Sequence, residues 1–129
     1  MELAIIYAGT ISIGESPLNI VCCYQYVGED ILIVITGGTD PHIGAVSMGI
    51  PRQSLSNANK ISSTVSILTR TGHKDDEIAK VVAHQIAAHF NRNTIVTAGV
   101  HIDEAKNEQI EEFMINVKIL IKWLKENLT

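Results

Sequence analysis

The sequence predicts an α+β fold: one domain over residues 1–129, with a largely antiparallel sheet of about six strands and two helices, 75–91 and 104–127, packed on it. Three observations carry that prediction. The first two-thirds of the chain is a series of β-rich runs separated by short turn clusters. The last third is dominated by helical periodicity. No Pro/Ser-rich linker divides the two parts, and there is no internal repeat.

Leu3–Ile13 is β-rich and ends at the turn cluster Gly14-Glu15-Ser16-Pro17. Leu18–Val27 follows, then Gly28-Glu29-Asp30, then the apolar run Ile31–Ile35. Connections of about two to five residues are too short for a parallel crossover, so these runs are expected to be hairpin-linked. Thr36-Gly37-Gly38-Thr39-Asp40-Pro41 breaks the run. Ile43–Ile50 is a small-residue strand stopped by Pro51, Arg52–Lys60 is polar loop, and Ile61–Thr69 resumes β character. A helix over 75–91 is expected because Ile78, Val82, Ile86 and Phe90 share one face and Asp75-Asp76-Glu77 complement the positive end of its dipole. Thr94–Val100 is a strand by β-branching. The helix over 104–127 places Ile110, Phe113, Met114, Val117, Leu120, Ile121, Leu124 and Leu128 on one stripe. Ile119 and Trp123 fall opposite that stripe, an exposed apolar pair that would serve self-association.

Composition narrows the function class. The chain is 46% apolar and 19% charged, enough to bury a core and too hydrophobic for disorder. With a net charge of −4 and a pI near 5.7, it is a poor sequence-independent binder of nucleic acid. No apolar run approaches the roughly 20 residues that span a bilayer. The acidic, base-free start does not read as a signal peptide, and adjacent Cys22 and Cys23 are placed for neither a disulfide nor a CxxC site, so a cytoplasmic location is expected. The charges are segregated. Residues 1–51 hold five acids (Glu2, Glu15, Glu29, Asp30, Asp40) and no Lys or Arg, whereas residues 41–74 hold Arg52, Lys60, Arg70 and Lys74 and no acid.

Three segments place a His beside Gly or Asp where an element ends: Thr36–Gly44 with His42, Thr69–Asp75 with His73, and Ala98–Asp103 with His101. Glycine lets backbone approach a ligand closely, and His offers a proton-transfer or hydrogen-bonding group near neutral pH. If the strands align, all three meet at one end of the sheet. His spacings of 31 and 28 residues match no local metal signature, so no metal is assigned. His101 and Asp103 share a face if the strand continues, as an acid/base pair would. His84 is expected in solvent and His89 in packing. GxSxG, GxxxxGK[ST] and GxGxxG are all absent. A phosphate-bearing ligand is the alternative: Gly37-Gly38 and Gly72-His73 offer backbone, Thr36, Thr39, Thr69 and Thr71 offer hydroxyls, and Arg52 and Arg70 offer bidentate contacts.

The phrases TGGTDPHIGAVSMGIPR (Thr36–Arg52), SLS and ISSTVSILTRTGHKDDEIA (within Ser54–Ala79) and TIVTAGVHIDEA (Thr94–Ala105) resemble the LpdD-like prenylated-flavin chaperone family. The resemblance implies a fold similar to small proteasome-assembly chaperones, pairing with another copy, and a non-catalytic accessory role beside a UbiD-type decarboxylase of hydroxyarylic acids such as gallate. No intrinsic cofactor is implied; prenylated FMN or FMN would be cargo. Carried over, the motif positions are Gly37, Gly38, Asp40, His42 and Gly44, then Gly72, His73 and Lys74, then Gly99, His101 and Asp103. The resemblance assigns none of them a catalytic role. Together with Arg52 and Arg70 these loops make one expected pocket for a phosphorylated ligand, in which Arg52, Arg70 and Lys74 neutralise phosphate. With aromatics at 5% of the chain, stacking of a flavin would fall to Tyr7, Tyr24 or Tyr26 or to a partner copy. A small metal- or His/Asp-dependent enzyme and a pure assembly module are the competing readings.

Overall fold

A computed structural model describes residues 8–70 and 75–129. The elements run β1 (Ala8–Ile13), β2 (Ile20–Val27), β3 (Asp30–Gly38), β4 (Ala45–Gln53), β5 (Ile61–Thr69), α1 (Asp75–Phe90), β6 (Thr94–His101) and α2 (Asn107–Asn127). They form the expected α+β domain, with one six-stranded sheet ordered β1-β2-β3-β6-β4-β5. Every neighbouring pair is antiparallel except β3 and β6. Strand β6, last in sequence, is inserted between β3 and β4, and its register brings Gly38 beside His101 and Ala45 beside Ala98.

Alternation decides which face is covered. Ile31, Ile33 and Ile35 of β3 are buried while Leu32 and Val34 between them are not, and Cys22 is buried where Cys23 is exposed. The buried set packs with Val82, Ala83 and Ile86 of α1 and Val117, Leu120 and Leu124 of α2 into one core. The two helices therefore lie side by side on a single face, and no other described helix or strand covers the opposite one.

The boundaries depart from the sequence expectation at three places. Strand β4 continues through Pro51, because its ladder with β6 ends at Gly49 and a proline beyond that point forfeits no bond on that side. Strand β3 runs on to Gly38, since β6 pairs with its glycines. Helix α2 begins at Asn107 rather than 104: Glu104 has a left-handed φ of 52°, and the Lys106 N–H donates to Gln109 Oε1 at 2.8 Å as the turn closes. The expected start of β1 at Leu3–Tyr7 lies outside the described residues.

Three side chains sit differently from expectation. Trp123 is half-buried, with its ring 6.0 Å from that of Tyr24, so the exposed apolar pair on α2 is Ile115 with Ile119, one turn nearer the N-terminus. His84 is not a solvent residue: its Nδ1 lies 2.6 Å from Ser63 Oγ of β5. His89 is exposed, edge-on to Phe90.

Candidate functional site

Strands β3 and β6 end, β4 begins and α1 starts at one edge of the sheet, and their ends meet there. The loop after β3 bends over the sheet: Thr39 N–H donates to the His101 carbonyl at 2.8 Å and Gly44 N–H to the Ala98 carbonyl at 2.9 Å. Two glycines make that crossing sterically feasible. A Cβ on Gly99 would collide with the His42 carbonyl, and one on Gly44 with the Asp75 carboxylate.

His42 is thereby seated against α1. Its Nε2 lies 3.0 Å from Asp75 Oδ2 and its Nδ1 2.9 Å from the Asp40 carbonyl. Asp75, the first residue of α1, is 3% exposed, and its Oδ1 accepts the Val100 N–H at 2.8 Å. One carboxylate thus ties the β3–β4 loop to both helix and strand. Next to it, His101 Nε2 is 2.8 Å from Asp103 Oδ1, and the His42 and His101 rings stand edge to face with centroids 6.3 Å apart. Asp103 is open to solvent.

A cleft of about 280 Å³ opens beside this cluster, between the start of α1, the end of β6 and the first turns of α2. Its walls are Ile78, Ile102, Phe113 and Met114, with Asp75 and His101 at its edge. Phe113, expected only on the core stripe of the last helix, is the aromatic among the described residues lining the cleft. Tyr24 packs on Trp123 instead, and Tyr26 Oη accepts the Thr129 N–H.

The structure thus brings together Gly37, Gly38, Asp40, His42, His101 and Asp103 of the residues singled out in the sequence. Arg70 stands at the same end of the sheet, on the flank away from the cleft, where its guanidinium donates to the Ile43 carbonyl at 3.2 Å. Arg52 does not join them. Seven residues beyond Ala45 on β4, it lies about 23 Å away at the opposite end of the sheet, with Nε on Thr64 Oγ1. Gly72, His73 and Lys74 lie outside the described residues. Asp75 is the residue sequence reasoning missed, because an acid in a first helical turn already had a role with the dipole. No three His, Cys, Asp or Glu side chains among the described residues are grouped as a metal would require, and no described helix is long and apolar enough to cross a membrane.

The same architecture occurs in a solved structure, a chaperone complex for yeast 20S proteasome assembly, one chain of which superimposes with a TM-score of 0.65 at 18% identity, covering 98% of this chain and all of that one. The fold is therefore that of a proteasome-assembly chaperone. Residues 14–129 match the prenylated flavin chaperone LpdD-like domain, and the chain belongs to that family. Protein LpdD of Lactiplantibacillus plantarum is 35% identical over 88 residues, a stretch covering 67% of this chain and 60% of that protein.

Proposed function

We propose that the protein is a non-catalytic accessory chaperone of a UbiD-type, prenylated-FMN-dependent decarboxylase, assisting delivery of the cofactor or assembly of the enzyme. Membership of the prenylated flavin chaperone family across residues 14–129 is the observation that carries this reading. The edge of the sheet is its working end. The apolar cleft floored by Phe113 and Met114 suits a prenyl group or the edge of a flavin ring. His101 supplies a hydrogen-bonding group at its edge for the polar part of the cargo, and Arg70, on the other flank of the same end of the sheet, a cation for a phosphorylated part or for an equivalent surface of the decarboxylase. Cytoplasmic location fits such a partner.

The test is co-expression with a flavin prenyltransferase and the decarboxylase, with cofactor occupancy of the decarboxylase read by absorbance. Occupancy is expected to rise when this protein is present. Unchanged occupancy, with colourless protein recovered from the same cells, would reject the reading.

Two neighbouring His–Asp pairs favour a second reading, an acid/base enzyme acting on a polar metabolite. It requires the protein alone to turn over a hydroxyarylic acid, and His101→Ala to abolish that turnover.

A further inference from the structure

We propose that β5 is a docking edge, on which an extended segment of a protein partner, acidic at its ends and apolar at alternate positions between them, pairs antiparallel as a further strand of the sheet. The inference is independent of the cargo. Strand order puts β5 at one border of the sheet, with β4 on one side and no described strand on the other. The ladder fixes which of its backbone groups are used. Arg70 N–H donates to the Gly44 carbonyl and Ser54 N–H to the Lys60 carbonyl, each at 2.8 Å. Both bonds belong to one register, and residues that bond a given neighbour alternate along an antiparallel strand. The even-numbered residues of β5 therefore bond β4, and Ile61, Ser63, Val65, Ile67 and Thr69 turn their N–H and C=O groups out of the sheet. None of these backbone groups bonds another described residue. Edges of this kind are ordinarily blunted by a charge, a proline or a bulge, because they pair readily with any free strand. β5 reads Ile-Ser-Ser-Thr-Val-Ser-Ile-Leu-Thr and has none of the three, its nine residues being matched one to one with β4. It is an unguarded edge about 30 Å long.

Two features select the occupant. The first is a depression of about 440 Å³ between β5 and α1, lined by Ser63 and Val65 of the strand and by Glu77, Lys80, Val81 and His84 of the helix. Ser63, Val65 and Ile67 share the face of β5 that turns towards α1. Residues of an added strand directly opposite them would send their side chains into this depression, against Val65 and Val81. Valine-sized residues at every second position suit it, and in an antiparallel pair those same residues carry the N–H groups that meet β5. The second feature is charge. Lys60 and Arg70 stand immediately before and after the strand, with no Asp or Glu between them in the sequence. Glu77 and Lys80, three residues apart on α1, offset one another, so the two ends set the sign. A second copy of β5 is the wrong occupant. An antiparallel pair centred on Val65 would set Lys60 against Arg70 of the other copy at both ends, and like charges across a pair repel. A segment with Asp or Glu at both ends is attracted where a second copy is repelled.

The test is a titration of the full ¹⁵N-labelled chain with the peptide acetyl-Glu-Thr-Thr-Val-Thr-Val-Thr-Val-Thr-Thr-Glu-amide, whose valines fall opposite Ser63, Val65 and Ile67. In the free protein the amides of those residues should exchange with solvent rapidly while those of Thr64 and Ser66 are protected. The peptide should slow their exchange and shift their resonances. N-methylating its valines should weaken binding at least about tenfold, and N-methylating the threonines between them should leave it within about twofold. Lys60→Glu, at an exposed position outside the strand, should weaken binding severalfold, and a peptide with Lys in place of its last Glu should recover it on that variant. Slow exchange of the Ser63, Val65 and Ile67 amides already in the free protein would mean that another strand occupies the edge, and would overturn the proposal. So would an absence of shifts at millimolar peptide, shifts confined to the cleft beside His101 or to the helix-free face, equal losses from the two methylations, or a Lys60→Glu loss that the Lys-ended peptide fails to recover.

Discussion

His42 and Asp75, 33 positions apart, are joined side chain to side chain at 3.0 Å, and the other oxygen of the same carboxylate takes the backbone N–H of Val100 at 2.8 Å. Three chain segments are held by one buried group. Removing that group strands polar partners that are themselves shielded from water, and an unpaired buried polar group is more costly than the bond was worth. Asp75→Ala is therefore expected to cost about 2–3 kcal/mol in urea unfolding. Asp75→Asn, which keeps an acceptor for Val100 and the same shape, should lose only about 1 kcal/mol. Equal losses for the two variants would mean that the carboxylate merely fills space.

The loop that carries His42 lies on β6 only because position 99 has no side chain. An added Cβ there would meet the backbone carbonyl of His42, which cannot rotate away as a side-chain tip can. Gly99→Ala should destabilise by about 1–3 kcal/mol, as overpacking does, and should shift the His42 ring resonances in a ¹H–¹³C spectrum. Gly28 offers the contrast: nothing lies within 4 Å of its Cβ position, and only its φ of 61° opposes substitution. Gly28→Ala should cost less and leave His42 unmoved.

The adjacent cysteines are expected to behave as different residues. Cys22 is fully buried, and burial first, then the neighbouring Cys23 thiol, pushes its pKa from 9.0 up to about 12. Cys23 is exposed on the open face. A thiol reagent at pH 8 should modify one cysteine in the native protein and two in denaturant. The pH dependence has a definite sign. Below pH 9 both folded and unfolded Cys22 are protonated and the group has no effect, whereas between pH 9 and about 12 only the unfolded thiol ionises, so stability falls as pH rises through that window. A native titration that modifies both thiols equally fast would contradict the buried assignment.

Period-two runs such as Ile31-Leu32-Ile33-Val34-Ile35 and the four-residue spacing of α1 made the strands and helices legible in the sequence, because burial on one face writes itself into alternation. What periodicity cannot encode is which strands become neighbours. The insertion of β6 between β3 and β4 is a long-range event, and it is what brings His101 beside Gly38 and His42 into reach of Asp75. Arg52 was read into the pocket for the same reason: a count along the chain places it ten residues after His42, whereas an extended strand carries it to the other end of the sheet. Asp75 and Asn116 were illegible for another reason. Each is a buried polar residue whose partner is a backbone group far along the chain, the Val100 N–H in one case and the Leu18 carbonyl, 2.9 Å from Asn116 Nδ2, in the other.

Position on the sheet also separates the proposed working end from the rest of the surface. His101 is at the edge of the cleft, part-exposed, with its Nε2 on solvent-facing Asp103 and its ring edge to face with His42, so replacing it should disturb the fold little. His84 lies in a different depression, between α1 and β5, bonded to Ser63. In the occupancy assay, His101→Ala is expected to lower the gain in decarboxylase loading severalfold while its melting temperature stays within a few degrees of wild type. His84→Ala, which takes the imidazole from buried Ser63 and leaves it only the weaker bond to the carbonyl of residue 84, should do the reverse, costing about 1 kcal/mol of stability with loading unchanged. Loading that follows stability across both variants, rather than position, would remove the cleft edge from the proposed function.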